Sequence, residues 1–312
     1  AASPIEIVGL RKEFKGFVAV ENLDLSIKKN SFTGLLGPNG AGKSTTLKIL
    51  TNLTTATSGT ACINGIDVTE NPKEALQGVG TVVETPEFYL YLTPRETMKY
   101  IGEILGMKHE TVAAETEEIL EKVKMTEWAD KRLGTFSKGM RQRIALGQAL
   151  LNSPSVIILD EPTSGLDPRG MAETREILRN IRSGRGDLTV LMSSHMMYEV
   201  SDLCYRVAMM DHGELIVHDS MENVIGGADE HTVSVKTINV PDDAILKAVA
   251  SMDGVTGTSG INGGLSVKFK GDKIRQAELL KEIGGLGLEI YAFSETGNAL
   301  EEKYLSMIKD SR

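Results

Sequence analysis

The sequence predicts an α/β protein followed by a smaller α+β domain, and three observations carry that prediction. Apolar residues near the start recur in the two-residue period of strands and then switch to helical spacing. A glycine-rich loop, Gly37-Pro38-Asn39-Gly40-Ala41-Gly42, sits at that switch. Near Gly226-Gly227 the character of the chain shifts again, and 312 residues are comfortable for two domains.

In chain order, Ile5, Val8 and Leu10 form a first strand-like run, and Val18, Val20, Leu23, Leu25 and Ile27 a second. Phe32 to Leu36 is a third, ending in the glycine loop. From Lys43 onward Leu47, Leu50 and Leu53 fall on one helical side. Helical spacing returns from Pro94 to about Met125, through Ile101, Ile104, Leu105, Val112, Ile119, Leu120 and Val123, which predicts a helical insertion. Pro154 opens Val156-Ile157-Ile158-Leu159, the continuous apolar run of a strand buried on both faces. A helix over Met171–Ile181 and strands over Leu188–Met192 and Val207–Met210 complete an alternating pattern. Beyond Gly227 the reading is strand (Thr232–Thr237), helix (Asp243–Met252), strand (Val255–Ser259), strand (Leu265–Phe269), helix (Lys273–Ile283) and strand (Leu288–Phe293). A final helix starts at about Asn298. The order βαββαβ predicts a ferredoxin-like domain.

Composition narrows the function. Hydrophobic residues at 41% and charged residues at 25% exclude disorder and a disulfide scaffold. A net charge of -9 argues against wrapping a nucleic-acid backbone, so no nucleic acid is expected as a partner. Cys62 and Cys204 read as buried thiols in a reducing compartment, and the histidines show no metal-ligand spacing. The longest charge-free stretch, Ile49 to Ile66, is too rich in Thr, Ser, Asn and Gly to span a bilayer. Ala1 to Glu6 show neither a basic region nor an apolar run, so no secretory signal is expected.

Gly37 to Ser44 matches G-x-x-x-x-G-K-[ST] in full, between a strand and a helix as that motif requires. Glycines let the backbone curl so that successive N–H groups converge on phosphate oxygens, and the helix adds its positive end. Lys43 would supply a point charge to the β- and γ-phosphates, Ser44 a hydroxyl to Mg²⁺, and Thr45 would reach the α-phosphate. Asp160 follows the buried strand, where α/β sheets bind ligands, and would hold the metal. Glu161 beside it is suited to polarise an attacking water. Alone, an Asp-Glu pair after a strand is as often a solvated turn.

Leu159-Asp160-Glu161-Pro162-Thr163-Ser164-Gly165-Leu166-Asp167-Pro168 resembles the Walker B and D-loop of ABC transporter ATPases. Phe136-Ser137-Lys138-Gly139-Met140-Arg141-Gln142-Arg143 is similar to the ABC signature, usually LSGGQ, and Ser193-Ser194-His195 to the switch-histidine loop. The resemblance covers Ile5 to roughly Gly226. It implies a P-loop NTPase of ABC type over residues 1–226, with a helical subdomain at about 93–151, and a regulatory or dimerising domain over 227–312.

It also implies roles. Ser137 and Gly139 would cup the γ-phosphate bound to a second subunit, so that two chains sandwich two ATP molecules; otherwise Ser137 is an ordinary helix N-cap. His195 would contact the γ-phosphate and the attacking water, and Asp167 would reach across the dimer interface. Phe14 aligns with the aromatic that stacks on adenine, with Phe17 as a rival. Pro38, Asn39 and Ala41 belong to the ATP-binding loop.

Two departures stand out. Glu84 occupies the position of the family's Gln after the strand Gly80-Thr81-Val82-Val83, and keeps an oxygen ligand for Mg²⁺ while adding charge. Its bland reading is a solvated acidic loop. In the signature, Lys138 replaces a Gly and Met140 the Gln. Both departures resemble the bacitracin- and lantibiotic-type exporter branch. The expectation is an ATP-hydrolysing subunit with ATP and Mg²⁺ as cofactors, working as a homodimer on a separate transmembrane permease at the cytoplasmic face of the membrane. Its rival is a non-transport ABC ATPase acting on nucleic acid or ribosomes. The C-terminal domain would dimerise the chain, regulate the ATPase or bind a small molecule.

Overall fold

The computed structural model describes residues 3–226, 230–295, 300 and 304, and the chain divides into two compact units between Ser220 and Met221. In the first unit, β1 (Ile5–Phe14) and β2 (Phe17–Ile27) form a hairpin, and β3 (Phe32–Leu36) leads into α1 (Lys43–Leu50). β4 (Ser58–Ile63), β5 (Ile66–Asp67), α2 (Pro72–Ala75) and β6 (Val79–Val82) follow. Then come α3 (Pro94–Ile104), α4 (His109–Lys122), α5 (Lys138–Leu150), β7 (Val156–Leu159) and α6 (Pro168–Gly184). β8 (Thr189–Ser194), α7 (Met197–Leu203), β9 (Arg206–Asp211) and β10 (Glu214–Ser220) close the unit.

Two sheets result. One is antiparallel, in the order β2-β1-β4-β5. The other runs β10-β9-β3-β8-β7-β6, parallel from β9 to β6, with β10 antiparallel on its edge. One apolar cluster joins them, with Ile5, Ile7 and Leu25 from the first sheet, Leu47 and Leu50 from α1, and Leu35, Ile158 and Met210 from the second. All of Val156, Ile157, Ile158 and Leu159 are buried, as their unbroken apolar run requires. Each such side chain contributes about 1.5–3 kcal/mol of burial.

The early strands differ from the simple alternation in one respect. Ile5 and Ile7, not Val8, share the buried face with Leu10, and Val8 is exposed. The register shifts between Ile7 and Leu10, where Gly9 takes a φ of +55°, so a bulge resets the period. Lys15 and Gly16, both with positive φ, make the two-residue hairpin turn that brings Phe14 opposite Phe17. Leu53 is likewise exposed, because α1 ends at Leu50.

The helical insertion is two helices before α5 rather than one continuous pattern. A Thr93–Glu96 capping box starts α3, and Gly106, with a φ of +72°, separates it from α4. Ile104 and Leu105 at that break are exposed. Further along, Cys204 is buried and its thiol pushed up to about 12 by desolvation, whereas Cys62 is half-buried. Among the described residues no helix is long and apolar enough to cross a membrane.

The second unit contains α8 (Met221–Gly226), β11 (Glu230–Thr237), α9 (Asp243–Ala250), β12 (Val255–Ile261), β13 (Gly264–Lys270), α10 (Lys273–Gly284) and β14 (Ile290–Glu295). Its antiparallel sheet has the order β12-β13-β11-β14, over a core of Val233, Val235, Leu265, Val267 and Phe269 with Val249 and Leu279 from the helices. Asp242 and Asp272 cap α9 and α10 through their side chains. The helix expected from about Asn298 lies outside the described residues, apart from Leu300 and Tyr304, which are helical and buried.

The close approach of α5 to β6 yields a stability prediction. A Cβ on Gly80 would lie 1.8 Å from the Ala149 carbonyl oxygen. Gly80→Ala therefore forces the helix off the sheet, at about 1–3 kcal/mol. In a unit of this size each kcal/mol lowers the thermal midpoint by about 2–4 °C. An unchanged midpoint by scanning calorimetry would contradict this packing.

Candidate nucleotide site

Strands β3, β8, β7 and β6 are consecutive neighbours in the parallel sheet, and each ends in a loop singled out by the sequence. Gly37 follows β3, His195 follows β8, Asp160 follows β7, and Val83-Glu84 follow β6. Leu36 pairs with Ser194, Met192 with Leu159 and Leu159 with Val82, so the loops leave the sheet at one level. Carboxyl ends of parallel strands are the ligand edge of such folds.

The glycine loop is held by close backbone contacts. A Cβ on Gly37 would lie 2.3 Å from the Met210 carbonyl oxygen, and one on Gly42 2.4 Å from that of Ala19. Gly42 caps α1 with a left-handed φ of +97°. Ala41 N–H donates to Pro38 O at 3.2 Å, and Gly213 N–H to Ala41 O at 3.1 Å. Helix α1 then begins at Lys43 with its positive end toward the loop.

Lys43 is 4% exposed, and its ammonium donates to Gly37 O at 2.8 Å and Pro38 O at 3.0 Å. It stands 3.7 Å from Glu161 Oε1. The Glu161 carboxylate also meets His195 Nδ1 at 3.1 Å. Ser44 Oγ donates to Asp160 Oδ1 at 3.0 Å. A hydroxyl beside a carboxylate is the hard-oxygen chemistry that suits Mg²⁺, so these residues fit the ion. Lys43, Ser44, Asp160, Glu161 and His195, drawn from three loops, thus form one connected group.

Two residues near this group were not assigned roles from sequence. Ser193, fully buried, accepts from Glu161 N–H at 2.9 Å and donates to Asp160 Oδ1 at 2.5 Å. It clamps both acidic residues, and its only signal was a place in the Ser193-Ser194-His195 run. Lys48 pairs with Glu84. The carboxylate of Glu84, expected as a metal ligand, is exposed and engaged by the ammonium one helical turn beyond Ser44.

The remaining predicted residues are elsewhere. Ser137 caps α5, accepting from Met140 N–H at 3.2 Å, which leaves its own O–H proton to donate. Asp167 caps α6 by accepting from Gly170 N–H at 3.1 Å. Ser137, Gly139 and Asp167 line one open groove of about 670 Å³. Lys138 donates to Ser164 O at 3.2 Å, tying the signature loop to the D-loop of the same chain. Phe14 and Phe17 both lie exposed at the hairpin tip, with Lys12 Nζ 4.7 Å above the Phe14 ring. Thr45 sits half-buried in the first turn of α1.

A phosphate loop at the head of a helix, with acidic residues just past the end of a strand two places along the same parallel sheet, defines a P-loop nucleotide hydrolase. Residues 20–164 match the ABC transporter family. The ABC transporter ATP-binding protein YdbJ of Bacillus subtilis is 31% identical over 306 residues, covering 97% of this chain and 95% of the relative. The bacitracin transport ATP-binding protein BcrA of Bacillus licheniformis is 37% identical over 212 residues, 68% of each chain. A dimeric ATP-binding cassette in a post-hydrolysis state with ADP and Pi superposes with a TM-score of 0.62 at 25% identity, over 70% of this chain and 98% of that one. This chain belongs to the ABC transporter ATP-binding proteins. It carries their ATPase fold and is an ATPase of that family.

Lys43 supplies the test. Burial lowers its pKa from the usual 10.5, outweighing the opposite pull of Glu161 and Asp160. Between the lowered folded value and the ordinary one, the unfolded chain holds more protons. Stability of the nucleotide-free protein should therefore rise as pH climbs through that window. Thermal midpoints of wild type and Lys43→Met, followed from about pH 7 to pH 10, should diverge, with the rise missing from the variant. Parallel profiles would assign the effect to other groups.

Proposed function

We propose that this chain hydrolyses ATP as one of two copies that drive a separate membrane-spanning permease, in the manner of an exporter. The observation that carries the reading is the contact of Glu161 with both His195 and Lys43 under the phosphate loop. Glu161 would take a proton from the attacking water, and His195 would hold that water and the γ-phosphate in line. Lys43 would leave Glu161 and the loop carbonyls for the phosphates, pairing its charge with theirs. Mg²⁺ held by Ser44 and Asp160 would neutralise charge on the β- and γ-phosphates. Glu84 would join only after parting from Lys48.

The groove of Ser137, Gly139 and Asp167 supports the two-copy reading. Its hydroxyl and helix N-terminus suit an anion, and the groove is lined by none of Lys43, Ser44, Asp160, Glu161 and His195, so a nucleotide from a second copy fits it. Exposed Tyr89, Leu90, Tyr91 and Tyr100, with two ring pairs at 5.8 Å, give the permease an apolar docking surface near Glu84. The bacitracin transport relative supports the exporter direction, and work at the cytoplasmic face of a membrane follows from it. The second unit is read as ferredoxin-like, supported by its βαββαβ order and antiparallel sheet, and as a dimerisation domain.

Two outcomes are expected. Glu161→Gln should keep ATP binding but lower turnover by about a hundredfold or more, and should prolong an ATP-dependent dimer in size-exclusion chromatography. Full turnover in that variant would refute the assignment. Deleting the chain after Gly227 should reduce the ATP-free dimer seen by light scattering; unchanged dimer content would count against a dimerising second unit.

A further inference from the structure

Glu199 takes no part in the hydrolysis proposed above, yet it is only 1% exposed. A carboxylate is costly to bury unless both oxygens find donors. Here each oxygen has one. Thr163 Oγ1 donates to Oε1, and Ser194 Oγ donates to Oε2 at 3.0 Å. Both hydroxyls are themselves 2% exposed.

The placement of these donors gives the contact its meaning. Thr163 lies two residues beyond Glu161 in the turn after β7, and Ser194 immediately precedes His195 at the end of β8. Ser194 Oγ also accepts from Met196 N–H at 2.9 Å, so one hydroxyl restrains the backbone on both sides of His195. Because the single Ser194 proton goes to Glu199, the oxygen is left to accept from Met196. Glu161 itself has a φ of +43°, a left-handed conformation that a non-glycine residue keeps only under outside restraint. Its N–H is held by Ser193, and its carbonyl accepts from Ser164 N–H at 3.0 Å. Glu199 supplies the remaining hold, between those restraints, through Thr163.

We propose that Glu199 is a positioning residue for ATP hydrolysis: by gripping Thr163 and Ser194 together it sets His195 against Glu161. The proposal rests on the reading that Glu161 and His195 act on ATP. A carboxylate suits the position because both facing groups are hydroxyl donors and an ionised carboxylate is acceptor-only.

The test uses the purified full chain, with steady-state ATPase kinetics and fluorescent-nucleotide binding. Glu199→Ala should lower kcat by about ten- to hundredfold while leaving the nucleotide Kd within about twofold. Glu199→Gln, which keeps one acceptor for Thr163, should recover a large part of that loss. In a His195→Ala background, Glu199→Ala should cost clearly less than it does alone, since its hold on Ser194 acts through the histidine and only its hold on Thr163 remains. An undiminished kcat in Glu199→Ala, or an equal loss with and without His195, overturns the proposal. Should Glu199→Ala fail to fold, the near-isosteric Thr163→Val removes one of the two donors, and wild-type kcat there overturns it as well. If Glu161→Gln keeps full turnover, the hydrolysis reading fails and this proposal with it. Loss in Glu161→Gln with none in Glu199→Ala sinks the proposal alone.

Discussion

Parallel pairing of β3, β8, β7 and β6 sets the level at which four loops leave the sheet, and the chemistry of the site depends on that register. Side chains alternate faces along a strand, so a slip of one residue in β7 would carry Asp160 and Glu161 to the wrong faces. Burial resists such a slip. Val156 to Leu159 are enclosed on both sides, and Asp160 N–H extends the ladder by donating to Val82 O at 2.8 Å. Hydrophobic packing thereby fixes where the carboxylates stand, and no charge interaction has to do so.

On that frame the polar groups divide into those that hold and those available to react. Ser193, Gly37 and Gly42 hold: the serine by its bonds to Glu161 N–H and Asp160, and the two glycines by backbone approaches that leave no room for a Cβ. Lys43 is available, because its present partners are backbone carbonyls and one carboxylate at 3.7 Å. Desolvation already works against its charge, so an arriving polyphosphate gains more from it than from an exposed lysine. The Lys48–Glu84 pair is of another kind. It is partly solvated, and pairs of that kind are weak, so it opens at little cost.

Features governed by local chemistry were legible in the sequence. The phosphate loop declares itself because tight backbone curvature demands glycine at fixed spacing, and β7 because a strand covered on both faces tolerates no polar residue. What stayed hidden depends on tertiary partners. Nothing in the pattern around Val8 announces a bulge, since the bulge answers a register across β1, β2 and β4. The break at Gly106 interrupts a helical period that continues on both sides of it. Glu84 could be placed on its loop but not against Lys48, and Glu199 reads as an ordinary surface glutamate until Thr163 and Ser194 close on it.

Division of the family motifs between two places has a physical consequence. Lys43, Ser44, Asp160, Glu161 and His195 are bonded into one group, whereas Ser137, Gly139 and Asp167 line a separate groove. The signature and D-loop are joined to each other. Lys138 reaches Ser164 O, next to Gly165, whose φ of +67° is a conformation that glycine takes without strain. The lysine thus makes the two motifs one surface. A nucleotide held by a second copy would meet Ser137 and Asp167 as a unit, and the motion of either motif would carry the other with it.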